Sequence, residues 1–193
     1  MENKVENKVN MVQNIISWGV MLFAACALIY FGYSYFFSSS ILKSDHDFFE
    51  LTVSNKYEFI ENEKAQDEYI MAKFDKNRSI YIFAQAYNGD EFEDYKEATE
   101  EYYQSQVDRQ EELEIKNISS LEEIKIADYI AYTYSYTYID TLDKECYIKM
   151  YLIGSEQYYY QLSIESLIED KDKYKEDFDT IAKSFKEIAE ESS

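Results

Sequence analysis

Residues 129–140 read YIAYTYSYTYID. Ile130, Tyr132, Tyr134, Tyr136 and Tyr138 take every second place, with Ala131, Thr133, Ser135 and Thr137 between them. A period of two is the signature of an extended strand, because successive side chains leave opposite faces of the pleat. One face therefore carries a ladder of rings and the other carries small side chains. Large amphipathic rings need either a packed cover or a ligand. The small face permits close approach of another segment, or meets water, so Ala131, Thr133, Ser135 and Thr137 form the candidate binding face.

The neighbouring segments decide between core and platform. In CYIKMYLI (146–153), Cys146, Ile148, Met150 and Leu152 share one face, while Tyr147, Tyr151 and Ile153 lie on the other. SIYIFAQAY (79–87) is likewise apolar on both faces. Strands apolar on both faces belong in the middle of a sheet covered on both sides. Further strands are predicted at 48–53, 57–60, 68–74, 113–118, 123–127 and 158–166, with Gly154-Ser155-Glu156-Gln157 as a hairpin loop.

Two amphipathic helices are available as cover. The first is predicted to start at Asp90, with Glu93 completing a capping box, and to run to about Gln106. Phe92, Tyr95, Ala98, Tyr102 and Tyr103 form its apolar stripe. The second carries Tyr174, Phe178, Ile181, Phe185 and Ile188 at spacings of 4, 3, 4 and 3. With a helix over the sheet, the ring face of 129–140 reads as core.

Ahead of this domain, Ile15 to Phe37 runs for 23 residues without a charge. As a helix it reaches about 34 Å, enough to cross a bilayer core. Ile15 and Trp18 mark one end, and Tyr35 and Phe37 the other, with aromatic rings placed for the headgroup region. The reading is an uncleaved signal anchor. Two others stay open: a signal peptide cleaved after the small-x-small Ala25-Cys26-Ala27, and lipid attachment at Cys26 in a FAAC sequence. The organisation is a tail at 1–14, the membrane helix at 15–37, a spacer at 38–46 and an α+β domain at 47–193.

Charge narrows the partners. Residues 1–43 hold three lysines and two glutamates, so of the chain's net −20 the other 150 residues carry −21. A domain that acidic repels phosphate backbones, which excludes nucleic acid, and leaves basic proteins or divalent cations as electrostatically permitted partners. Lys4 and Lys8 favour a cytoplasmic N-terminus and an outward-facing domain.

Chemistry is sparse. His46, the single histidine, stands between Asp45 and Asp47 in the spacer, where a solvated linker is the simpler reading than a metal site. Cys146 has no histidine beside it and alternates into a core position. Cys26 and Cys146 are too differently placed to pair. P-loop, GxGxxG, GxSxG and calcium-loop motifs do not occur in the sequence. No catalytic, cofactor-binding or metal residue is nominated, no cofactor is implied, and a small-molecule ligand is left unspecified.

The order of elements resembles the PsbP-like fold, whose bacterial members include DcrB-like and other small envelope proteins. The resemblance rests on FFELTVSNKYEF, on SIYIFAQAYNGDEFEDYKEATEEY, and on YYYQLSIES followed by YKEDFDTIAKSFKEI, across residues 47–189. Tyr57 stands where many members have tryptophan or proline near the first hairpin. The resemblance implies a mostly antiparallel sheet flanked by helices, an α/β/α sandwich, and a domain that binds or assembles without catalysing a reaction. The expected function is therefore a single-pass membrane protein with an extracytoplasmic accessory domain for an envelope protein or basic partner. A structural, self-associating membrane protein is the alternative, and a carboxylate-based hydrolase the third reading.

Overall fold

The computed structural model describes residues 21, 24–30, 38–44, 47–61, 70–89 and 94–188. Residues 40–53 and 57–193 form one compact unit; those up to Ser39, with Ser54–Lys56, form another. In the smaller unit, 24–30 is helical, and Leu28, Ile29 and Tyr30 are each at least 70% exposed. Asn55 donates its backbone N–H to the Ser38 carbonyl (3.0 Å) and its side-chain amide to Ser38 Oγ (2.7 Å). Among the described residues no helix is long and apolar enough to cross a membrane. Ile15, Trp18, Tyr35 and Phe37 lie outside them.

The larger unit is built on a seven-stranded sheet. Its strands are β3 (Phe59–Glu61), β4 (Ile70–Asp75), β5 (Tyr81–Asn88), β6 (Glu122–Ile126), β7 (Tyr129–Ile139), β8 (Glu145–Gly154) and β9 (Tyr158–Leu167). The order is β3-β4-β5-β9-β8-β7-β6, with every neighbour antiparallel. Two meanders thus meet between β5 and β9. Helix α1 (Tyr95–Asp108) lies in the crossover from β5 to the far edge at β6, and α2 (Lys171–Lys183) follows β9.

Side-chain alternation sorts the core into two layers. Under α1 lie Tyr132, Tyr134, Ile148, Met150, Leu152 and Tyr159. The Tyr103 ring meets Tyr134 edge-on at 5.2 Å, and Tyr95 lies 5.8 Å from Tyr132. The ring face is therefore an interior surface, as the flanking strands imply. On the opposite face Tyr151, Ile153, Tyr160, Leu162 and Ile164 pack against Tyr174, Phe178 and Ile181 of α2.

That second face is not covered by a helix alone. A small sheet of β1 (Ser39–Lys43), β2 (Phe49–Ser54) and β10 (Lys186–Glu187), ordered β1-β2-β10, adds Phe49, Leu51 and Val53 to the same core. Ser39–Lys43, assigned above to a spacer, is thus a strand. The C-terminal apolar stripe also divides. The helix stops at Lys183, where Ser184 Oγ accepts from the Thr52 N–H (2.7 Å) and donates to the Thr52 carbonyl (3.1 Å). Beyond it Phe185 turns back into the core, 4.8 Å from the Tyr160 ring, and Lys186–Glu187 pairs with Phe49–Glu50. A spacing of 3 and 4 cannot reveal that break, because apolar side chains continue past it.

Two local expectations need correction. The predicted Asp90–Glu93 capping box lies outside the described residues; α1 is capped by Asp94, whose carboxylate accepts from the Lys96 and Glu97 N–H groups. Residues 113–118 are not a strand. Glu114 and Asn117 adopt positive φ (54° and 52°), which breaks an extended run. Instead Lys116 bridges Thr137, and Ser119 N–H donates to the Ser135 carbonyl. Residues 116–119 therefore cover the half of β7 that β6 leaves unpaired, so that edge is blunted.

Gly154 fixes the seat of α1. A Cβ added there would lie 2.7 Å from the Tyr95 ring, whose hydroxyl donates to the Leu152 carbonyl at 2.6 Å. Gly154→Ala is expected to cost about 1–3 kcal/mol in urea denaturation by overpacking, and less when combined with Tyr95→Ala.

A second prediction concerns Asp179 on α2. Burial works against its charge, but Lys149 Nζ at 2.6 Å and the Tyr151 hydroxyl at 2.8 Å hold its carboxyl below the usual range. A depressed pKa contributes stability above the unfolded value of about 3.9 and loses it as pH falls through the folded one. Asp179→Asn should cost up to about 1 kcal/mol at pH 7, and the difference should vanish on acidification below that window.

Candidate functional site

The described cavity with the most chemistry opens at the end of the large sheet, on the same face as α1. It holds about 360 Å³, within the range of small-ligand sites. Two turns flank it. In the β4–β5 turn, Asp75 is buried and accepts from the Glu58 and Asn77 N–H groups, while Arg78 adopts φ 57°. In the β7–β8 turn, Asp140 Oδ1 accepts from the Leu142 and Lys144 N–H groups, both at 2.8 Å. These two aspartates are spent on shaping backbone. The turns leave Arg78 and Lys144 exposed at the mouth.

The floor is supplied by three adjacent strands. Tyr138 sits opposite Cys146 in the β7–β8 register, and Ile148 opposite Glu165 in β8–β9. The Tyr138 hydroxyl donates to Glu165 Oε2 at 2.9 Å, and the Cys146 thiol also bonds that carboxyl. Phe74, Tyr81 and Leu142 furnish the apolar wall.

Electrostatics keeps the phenol and the thiol of this cluster protonated. Burial pushes the Cys146 thiol up to about 12, reinforced by the Glu165 charge. Burial likewise raises the Glu165 carboxyl, against the opposing bonds from Tyr138 and Cys146. Tyr138 is raised by burial and then by Glu165. A nucleophilic thiol needs a depressed pKa and a cationic or basic neighbour within reach. This arrangement supplies the reverse, so it serves hydrogen bonding better than attack on a substrate.

The candidate binding face sits elsewhere. Ala131, Thr133 and Thr137 are buried and Ser135 is half-buried. Thr133 Oγ1 donates to the Met150 carbonyl; Thr137 Oγ1 donates to the Lys116 carbonyl and accepts from the Asn117 side chain. The Ser135 N–H donates to Ser119 Oγ. Their polar groups are thus engaged within the fold. Asp45 and His46 lie outside the described residues, among which no group of three or more histidines, cysteines or acids could hold a metal. Both cysteines are free: Cys146 is buried and Cys26 exposed.

Glu165 and Arg78 were not singled out by the sequence, and Tyr138 entered only as a rung of the tyrosine ladder. One signal was available: Glu165 is a carboxylate inside a strand whose neighbours Leu162, Ile164 and Leu167 are apolar. Its company could not be read, since β4, β7, β8 and β9 meet only through pairing.

Neither a protein-family model nor a curated protein sequence matches the chain. Solved structures match on fold. The solution structure of the cyanobacterial PsbP protein CyanoP from Synechocystis sp. PCC 6803 superposes with a TM-score of 0.54 at 14% identity, covering 78% of this chain and 93% of that one. A mutant of protein Mog1 gives 0.51 at 12% identity, covering 78% and 96%. A crystal structure from Bacteroides thetaiotaomicron gives 0.56 at 9% identity and covers 79% of this chain, which spans 49% of that protein's length. The fold is PsbP/Mog1-like.

The raised Glu165 pKa predicts a pH signature. A carboxyl raised above its ordinary value of about 4.3 favours folding while protonated, and that contribution is lost as pH rises through the folded value. Glu165→Gln should therefore gain stability relative to the wild type between pH 4 and pH 8, measured as the difference in urea midpoint. A constant difference across that range would show that Glu165 ionises freely.

Proposed function

We propose that the protein is a single-pass membrane protein whose acidic domain lies outside the cytoplasmic membrane and acts by binding, as an accessory or assembly factor. The reading of the domain is carried by the Tyr138–Cys146–Glu165 cluster, whose phenol and thiol are held protonated beside a carboxyl, which suits hydrogen bonding and not covalent attack. The uncharged Ile15–Phe37 segment supports the anchor, as do the exposed apolar side chains of its described part. At −21 on the 150 residues after Lys43, the domain suits a basic envelope partner and repels anionic surfaces. The PsbP/Mog1-like fold is compatible with such a role, and a DcrB-like envelope protein is the kind of protein this reading describes.

Topology tests it. Asn88 is exposed at the end of β5. Asn88→Cys, in a background with Cys26→Ser and Cys146→Ser, should react with a membrane-impermeant maleimide on intact cells. Reaction only after lysis would place the domain in the cytoplasm and overturn the extracytoplasmic role.

A further inference from the structure

The pocket at the end of the large sheet carries a charge pattern that the rest of the domain does not explain. Carboxylates outnumber lysines and arginines 39 to 19 in the chain, so a surface cation has acids close at hand. Lys43, Lys76, Lys96, Arg109, Lys149, Lys173 and Lys186 each hold an ion pair. At the pocket mouth, Arg78 lies over the Phe74 ring at 5.9 Å, and neither it nor Lys144 pairs with a carboxylate within 4 Å among the described residues. The floor is the mirror case. Glu165 is half-buried and accepts from a phenol and a thiol, with no ammonium or guanidinium within 4 Å among the described residues.

Both charge types therefore line one cavity, and neither holds an ion pair among the described residues; the Asp140 carboxylate lines it too, held by the Leu142 and Lys144 N–H groups. A carboxylate has about four acceptor positions. Tyr138 and Cys146 take two, which leaves capacity for a ligand donor. Glu165 thus serves Tyr138 within the fold and keeps acceptor positions open to the cavity. Phe74, Tyr81 and Leu142 add apolar and aromatic surface to the same cavity.

We infer that this pocket binds a small zwitterion, an α-amino acid with an apolar side chain, through its ammonium at Glu165, its carboxylate at Arg78 and Lys144, and its side chain along Phe74, Tyr81 and Leu142. This rests on the reading of the domain as a binding module, but not on its partner or its side of the membrane. The ammonium and carboxylate that an α-amino acid carries on one carbon satisfy both sets at once, and the cavity volume suits a molecule of that size. A simple anion would leave the buried carboxyl unmatched, and a simple amine would leave the two cations unmatched.

The test uses the full chain in detergent and isothermal titration with L-phenylalanine, against phenethylamine and 3-phenylpropionate, each of which lacks one charge. L-phenylalanine should bind with a Kd of roughly 1 mM or tighter, and each one-charge analogue about tenfold more weakly or worse. Glu165→Gln and Arg78→Ala should each weaken L-phenylalanine by about tenfold. Lys144→Ala, on an exposed turn, provides a variant that keeps the folded core intact. Affinity should also fall on acidification, since Glu165, faced by Tyr138, Cys146 and the Asp140 carboxylate, no longer attracts the ammonium once protonated. Equal binding of the three probes, or unchanged affinity in folded Glu165→Gln and Lys144→Ala, would overturn the inference. So would an absence of heat with L-phenylalanine and L-leucine at 10-fold above that concentration. Such failures would leave the maleimide result on topology standing, so the two readings fail separately.

Discussion

A seven-stranded sheet buried on both faces must find a cover for every side chain it presents, and here many of those side chains are tyrosines. Burying a phenol is costly unless its hydroxyl finds a partner. At four of them the domain meets that need with carboxylates. Tyr57 donates to Asp177, Tyr138 to Glu165, Tyr151 to Asp179 and Tyr160 to Glu187, at 2.6–2.9 Å. Hydrogen bonds to charged groups are worth about 1.5–3 kcal/mol, more than neutral ones. Three of the acceptors lie on α2 or β10, so the same bonds that satisfy the rings also fix the C-terminal elements on the sheet. An acidic, tyrosine-rich composition is in this sense one structural solution, with each residue type making the other tolerable inside.

The residues that carried the fold in sequence are those whose pattern has a single geometric meaning. Cys146 to Ile153 is apolar on both faces and occupies the central β8; 129–140 alternates and becomes β7. Tyr174, Phe178 and Ile181 lie on one helix because their spacing allows little else. Where the signal failed, the reason was local and physical. Glu114 and Asn117 enter positive φ inside an apparently regular LEIKNI. Phe185 continues a helical spacing although Ser184 has already tied the chain to Thr52. Ser39–Lys43 is a strand only because β2 stands beside it. Thr99, fully buried on α1, is polar and gave no sign of burial.

The candidate site was less legible than the fold, and for a different reason. Arg78 stands in a DKNR turn and Glu165 in YYYQLSIES, and each alone is an ordinary residue in an ordinary place. Their meaning arises from the join between the two meanders. Pairing of β5 with β9 sets Tyr81 opposite Glu165, and pairing of β8 with β9 sets Ile148 opposite it on the other side. The crossover that makes this join spans β5 to β6, and nothing in the composition of either meander announces it. The small face of β7 illustrates the converse. Its residue types are plain in sequence, but closure by residues 116–119 and by Tyr151 of β8 depends on where distant segments land.

Tyr138 lies where the covered and the open parts of the sheet meet. On one side it lines a second, smaller cavity of about 190 Å³ with Leu113, Ile115, Tyr136 and Ile148, beneath the segment that leaves α1. On the other its hydroxyl holds Glu165 at the floor of the open pocket. The ring therefore has packing to anchor it and the hydroxyl has a carboxylate to hold, so the floor is preorganised by the same ladder that builds the core. Preorganisation matters for a weakly binding small ligand, because no binding energy need be spent on ordering the site. A phenylalanine here would preserve the packing and release the carboxyl. The strand's preference for tyrosine over phenylalanine at Tyr138 thus follows from the pocket, while at Tyr95 and Tyr103, whose hydroxyls donate to the carbonyls of Leu152 and Ser119, it follows from the seating of α1.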